Sequence, residues 1–301
     1  MRAVASQQPS ERFMQEREFW FSCGAYRMRC LHLAAEAPAT PSLPAVVFVH
    51  GLLGYSFSWR HNLDFFALHR DVYAVDLLGI GYSDRPETGA ADFSLEAAAL
   101  RLVDFLRSLG HSQIDLVGTS HGGAVGMLAC SLDRSSARPL IRRLVLVAPA
   151  HPFMTNARLR LAFFRTPLGR IAMRYLISRS LALSRKSLGR MYADESLITP
   201  ETRAGYAVNL DDPRSYDYAL EVIRTWRPDM LQLRKTLRSI AALPALLLWG
   251  ADDRVVSASS GLLLREFFRN SDYVVLPRVG HLPYEEAPGE FNRRVLHFLE
   301  S

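Results

Sequence analysis

Short aliphatic runs alternate along most of this chain with amphipathic stretches of helical period, and that alternation restricts the fold more than any other feature. The runs AVVFVHG (45–51), DVYAVDLLG (71–79), IDLVGTS (114–120), RRLVLVAPA (142–150), ALLLWGADD (245–253) and DYVVLPRVGH (272–281) show no regular polar alternation. A strand reads that way when both of its faces are covered, which predicts a parallel sheet between helical layers. Between the runs, SLEAAALRLVDFLRSLG (94–110) begins with Ser94, suited to cap a first turn, and ends with Gly110, suited to a left-handed terminal residue. HGGAVGMLACSLDR (121–134) and APGEFNRRVLHFLE (287–300) repeat the helical period. The predicted class is therefore α/β, a doubly wound, mostly parallel sheet. Ahead of it, EFWFSCGAYRMRCLHLA alternates around Gly24-Ala25 and predicts an antiparallel hairpin.

The alternation fails between 151 and 240, where the period stays helical with no strand-like run. The predicted organisation is a core in two parts, 1–150 and 241–301, with a helical cap of 151–240 inserted after the sixth strand. The charge follows the same division. The chain carries a formal +6, but 151–240 holds sixteen Lys and Arg against eight Asp and Glu, so the excess lies in the insertion alone. No zinc-finger or RNA-binding pattern accompanies it, and no nucleic-acid partner is predicted.

Composition narrows the setting. The chain is 49% hydrophobic, yet no apolar run approaches the roughly 20 residues of a membrane span, and none is predicted. The stretch MRAVASQQPSERFMQERE has no apolar segment before a cleavage site, so no signal peptide is expected. Cys23, Cys30 and Cys130 lack metal-ligand spacing and cannot all pair, which predicts reduced thiols and a cytoplasmic location.

Chemistry concentrates at the carboxyl ends of the predicted strands. In VGTSHGG (117–123), Ser120 stands where a strand meets a helix. Small flanking residues let such a turn close and project the hydroxyl clear of the backbone. A serine hydroxyl needs a positioned base, and the base needs an orienting carboxylate. His281 in VGHLPYEEAP and Asp253 at the end of ALLLWGADD supply them, in the chain order Ser, Asp, His. Asp252 is the rival acid. Donors for a developing oxyanion are expected from the backbone N–H groups of Leu52, in HGLLG, and His121. The rings of His50 and His121, and the carboxylates of Asp76 and Asp84, read as scaffolding.

Taken together, five segments resemble the α/β-hydrolase superfamily: FVHGLLG the oxyanion loop, DLLGIGYSDRP the D-x-x-G-x-G-x-S-D-x-P segment, GTSHGG the nucleophile elbow, LLWGADDRVV the acid loop and GHLPYEEAPGEFN the histidine segment. The resemblance spans about 45–300 outside the insertion. It implies the α/β-hydrolase fold, a Ser120, Asp253 and His281 triad, an oxyanion hole at Leu52 and His121, no cofactor and no metal. Two positions depart from it. Leu78 and Ser257 stand where proline is usual, which should cost stability rather than chemistry.

Serine at the elbow sets aside the epoxide-hydrolase and haloalkane-dehalogenase branches, whose nucleophile is a carboxylate. The chain is most similar to capped serine carboxylesterases and, more distantly, to meta-cleavage-product C–C hydrolases. From the latter it differs by Leu282 after the histidine and Thr119 in the elbow. Lactonases, cofactor-free perhydrolases and ligand-binding receptors share the same constellation. The expected function is hydrolysis of small-molecule esters with apolar short- to medium-chain or aromatic groups. Trp59, Phe153, Met154, Phe163, Phe164, Leu183, Met191, Tyr192 and Trp226 are the candidate substrate-binding residues, most of them expected simply to pack the cap on the core. Nine basic and no acidic residues fall between 151 and 191. A solvated arginine face is the favoured reading, and weak association with anionic membrane surfaces is the alternative.

Overall fold

The computed structural model describes residues 17–36, 43–154, 166–172 and 188–301. Its eight strands are β1 (Glu18–Cys23), β2 (Tyr26–Leu33), β3 (Ala45–Val49), β4 (Val72–Val75), β5 (Ile114–Thr119), β6 (Ile141–Val147), β7 (Ala245–Gly250) and β8 (Ser271–Leu276). The nine helices described are α1 (Leu63–Ala67), α2 (Leu95–Ser108), α3 (Ser120–Arg134), α4 (Pro167–Ile171), α5 (Pro200–Leu210), α6 (Pro213–Thr236), α7 (Ala258–Arg265), α8 (Pro283–Glu286) and α9 (Pro288–Glu300).

One sheet contains every strand among the described residues, in the order β1-β2-β4-β3-β5-β6-β7-β8. The predicted hairpin pairs Cys23 with Tyr26 across its turn, and β2 joins β4 antiparallel. All remaining neighbours are parallel. The aliphatic runs of β3 to β7 have the expected cause, whereas β8, at the sheet edge, leaves Asp272 and Val275 exposed. In β3, Ala45, Val47 and Val49 enter one apolar layer while Val46 and Phe48 enter the other. Ser94 caps α2 by accepting from Ala97 N, and Gly110 beyond its end takes φ +75. α3 is buried nearly all round, which is why its sequence is apolar on every face.

The order places β4 on one side of β3 and β5 on the other. Chains leaving β3 and β5 therefore diverge at their carboxyl ends and leave a crevice, the usual ligand position in such sheets. Between β6 and β7 the described residues form helices and short turns and no strand. Most of the basic stretch of 151–191 lies outside the described residues. Among those described, no helix is long and apolar enough to cross a membrane. Cys30 and Cys130 are buried and unpaired, and Cys23 is partly exposed.

The two positions that depart from the family pattern behave differently. Leu78 fills the core at 3% exposure. Ser257 precedes α7 with φ −64 and ψ 136, a backbone proline adopts without strain. Ser257→Pro is accordingly expected to stabilise the fold by about 0.4–1 kcal/mol through the unfolded state, read as a higher urea midpoint at unchanged slope. A lower midpoint would refute it.

Candidate active site

The site begins at the junction of β5 and α3. Ser120 sits there at φ +49, a left-handed conformation that a β-carbon disfavours by roughly 1–3 kcal/mol. The chain turns this sharply because Gly118 and Gly122 have no side chains. A β-carbon on Gly118 would lie 2.7 Å from the Gly122 carbonyl oxygen, and one on Gly122 only 2.2 Å from that of His50. The hydroxyl is thereby held at the wall of a cavity of about 280 Å³.

The loop after β3 closes on the elbow from one side. A β-carbon on Gly51 would come within 3.1 Å of Ser120 Cβ, so Leu52 and His121 flank the serine on the same cavity wall. His50 braces this loop. Its Nε2 accepts from Leu77 N at 2.9 Å, which places the proton on Nδ1 for donation to the Gly51 carbonyl at 2.8 Å. Asp76 is likewise scaffolding: its carboxylate accepts from Ser56 N and Tyr82 N.

On the other side, His281 Nδ1 and Asp253 Oδ2 are 2.8 Å apart, with the two side chains 3% and 0% exposed. The second oxygen, Oδ1, accepts from Val255 N and Val256 N at 2.7 and 2.9 Å. The carboxylate is thus locked with one oxygen on backbone and the other on imidazole, whereas neighbouring Asp252 is exposed. Ser120 and His281 share the cavity wall without a hydrogen bond between them in this structure.

Of the candidate lining residues, Met154, Met191 and Trp226 line the cavity. Trp59, Phe153 and Tyr192 do not. Trp59 ends a 3-10 turn (Ser56–Trp59) that turns Ser58 to the cavity and sends the indole to the core, 4.3 Å from the Tyr284 ring and 4.9 Å from Phe48. Phe153 stacks on Phe267 at 5.0 Å. Tyr192 is 2% exposed and donates its hydroxyl proton to Glu285. Phe163, Phe164 and Leu183 lie outside the described residues.

Several contributors have no role assigned from the sequence, although Glu286, Leu282 and Tyr284 lie in the GHLPYEEAPGEFN segment. Glu286 accepts from Gly280 N and Ala193 N and so ties the His281 segment to the 191–193 segment. Tyr206, on α5, lines the cavity and donates to Glu285, which also pairs with Arg60 at 2.9 Å. Leu282 and Tyr284 complete the wall. Among the described residues no Asp, Glu, Lys or Arg lines this cavity, which suits a neutral, apolar guest.

Two buried imidazoles near the site are held neutral. Burial pushes His121 down to about 4, assisted by the nearby His50 ring, and pushes His151 to about 4 as well. His151 accepts from Phe153 N on Nδ1, leaving Nε2–H to donate to Ser260 Oγ at 3.1 Å. Because the folded values lie below the unfolded ones, this stability is fully present above about pH 6.5 and is lost as pH falls towards 4. Each group accounts for on the order of 3 kcal/mol across that window. The urea midpoint is expected to drop steeply between about pH 6.5 and 4, and a flat profile would contradict the burial of these rings.

A family model described as alpha/beta hydrolase fold matches residues 44–288. An uncharacterized hydrolase of Bacillus subtilis is 27% identical, over 86% of this chain and 91% of its own. A 2-hydroxymuconate semialdehyde hydrolase of Pseudomonas putida is 30% identical over 76% of this chain and 77% of its own. The solved epoxide hydrolase CorEH superposes with a TM-score of 0.77 over 94% of this chain and 98% of its own, at 21% identity, a likeness of fold.

Proposed function

This chain belongs to the α/β-hydrolase fold family, and from that membership we propose that it is a serine hydrolase cleaving neutral carboxylic esters with apolar groups. The observation that carries the reading is the desolvated His281–Asp253 pair on a cavity whose wall also presents Ser120 at a strained strand-to-helix turn.

In the proposed mechanism His281 Nε2 takes the Ser120 proton as the oxygen attacks the ester carbonyl. Asp253 holds the ring in the tautomer with Nδ1 protonated. The N–H groups of Leu52 and His121 receive the oxyanion, aided by the amino-terminal end of α3. His281 then protonates the leaving alcohol, and water, deprotonated by the same ring, releases the acid. The segment 151–240 is read as the cap, and in support its described residues Met154, Leu188, Met191, Tyr206, Leu210 and Trp226 line the cavity together with Ser120.

The test is hydrolysis of p-nitrophenyl esters from acetate to palmitate by the wild type beside Ser120→Ala. Ser120-dependent turnover supports the reading, and the preferred chain length reports how far the cavity extends. The relationship to a 2-hydroxymuconate semialdehyde hydrolase supports a second reading, cleavage of a C–C bond beside a carbonyl by the same triad. Turnover of 2-hydroxymuconate semialdehyde with no activity on any ester would favour it.

A further inference from the structure

The fully buried carboxamide of Asn209, on α5, joins three segments that are far apart in sequence. Its Nδ2 donates to the Leu53 and Gly54 carbonyls at 3.2 and 3.3 Å, and its Oδ1 accepts from Gly81 N at 2.9 Å and Arg85 at 3.1 Å. A backbone N–H on one side and two carbonyls on the other leave the amide a single orientation. Leu53 lies between Leu52 and Gly54 at φ +62, a conformation that a leucine holds only when its surroundings impose it.

We propose that Asn209 is a positioning residue for the oxyanion loop, holding the carbonyls of Leu53 and Gly54 so that the adjacent Leu52 amide stays at the wall beside Ser120. This inference rests on the acyl-transfer reading, since Leu52 matters to catalysis only if an oxyanion forms there. The loop is restrained from two directions. His50 holds the Gly51 carbonyl from the sheet side, and Asn209 holds the Leu53 and Gly54 carbonyls from the α5 side. Asn209 does not line the cavity, so its effect on the reaction passes through the loop. The strained Leu53 gives the loop a route of relaxation once the restraint is lost. A helix outside the core sheet thereby sets the geometry of a site built on the core.

Asn209→Asp isolates the donation. The side chain keeps its volume and its acceptor for Gly81 and Arg85, but sets an oxygen against two carbonyl oxygens. Thr202→Val is the comparison, because Thr202 ties the same helix to Arg60 without touching the loop. In N209D, kcat is expected to fall about 10–100-fold with KM within about threefold, as for a displaced transition-state donor. In T202V kcat should stay within about twofold. Amide hydrogen exchange at residues 52–54 should rise about tenfold or more in N209D and stay unchanged in T202V. Should N209D fail to fold, Asn209→Ser keeps one short uncharged donor and is expected to shift both readouts the same way, by about 3–10-fold.

Unchanged exchange at 52–54, or an equal loss of kcat in T202V, would overturn the inference and leave Asn209 as an anchor of α5. If the wild type shows no Ser120-dependent turnover while exchange still rises in N209D, the restraint of the loop stands and the esterase reading falls.

Discussion

Ser120→Ala is expected to lower ester turnover by about 10⁴–10⁶-fold while the fold and its stability remain close to those of the wild type. The size follows from the chemistry assigned to the residue: without Oγ no acyl-enzyme forms, and the oxyanion donors and cavity can assist only direct attack by water. The small structural effect follows from the backbone. At φ +49 alanine meets the same steric cost as serine, so the substitution neither relieves nor adds strain at the elbow. A purified S120A protein with wild-type circular dichroism and undiminished ester hydrolysis would remove Ser120 from the mechanism. Loss of activity with loss of fold would point instead to a structural role at the elbow.

Asp253→Asn is expected to lower kcat by about 10⁴-fold with little change in KM, and the hydrogen bonds on the carboxylate explain why. Oδ1 accepts from Val255 N and Val256 N, so an asparagine there must keep its carbonyl oxygen on those two donors. Its NH₂ group then replaces Oδ2 opposite His281 Nδ1. That turns Nδ1 into an acceptor and moves the ring proton to Nε2, the nitrogen that must take the serine proton. The geometry survives and the base is lost. Steady-state kinetics of D253N beside D252N separate the two aspartates: D252N should retain turnover within about threefold because its side chain is exposed. The opposite pattern would transfer the orienting role to Asp252.

The sequence was informative wherever a backbone requirement or a short-range period restricts the residue type. Strands buried on both faces must be aliphatic, which exposed β3 to β7, and the hairpin showed itself by its turn; β8 was legible from its run although, as an edge strand, it leaves Asp272 and Val275 exposed. Gly118 and Gly122 were legible because the elbow admits no β-carbon at either position. Ser120, Asp253 and His281 stood out because each ends a strand or opens the loop that follows it, so the topology brings their elements to one edge of the sheet.

The cavity wall was less legible. Trp59 and Ser58 are adjacent in sequence, yet one packs under Tyr284 and the other lines the cavity, a division decided by how their turn sits on the sheet. Phe153, Met154, Tyr192 and Met191 divide in the same manner. Apolar side chains in a helical insertion are equally suited to packing and to binding, and composition does not separate the two.

The sheet, the elbow and the chain order of the proposed nucleophile, acid and base could be read from local runs of residues, because they depend on local sterics and on a topology that a parallel sheet permits in few ways. It took the packed molecule to reveal the hydrogen bonds from Asn209 to the Leu53 and Gly54 carbonyls, the tie from Glu286 to residue 193, and the places of Tyr206 and Leu282 on the cavity wall. Those contacts join residues with no fixed spacing. Their partners depend on where helices α5 and α8 come to rest on the core, a result of packing over the whole molecule rather than of any local run of residues.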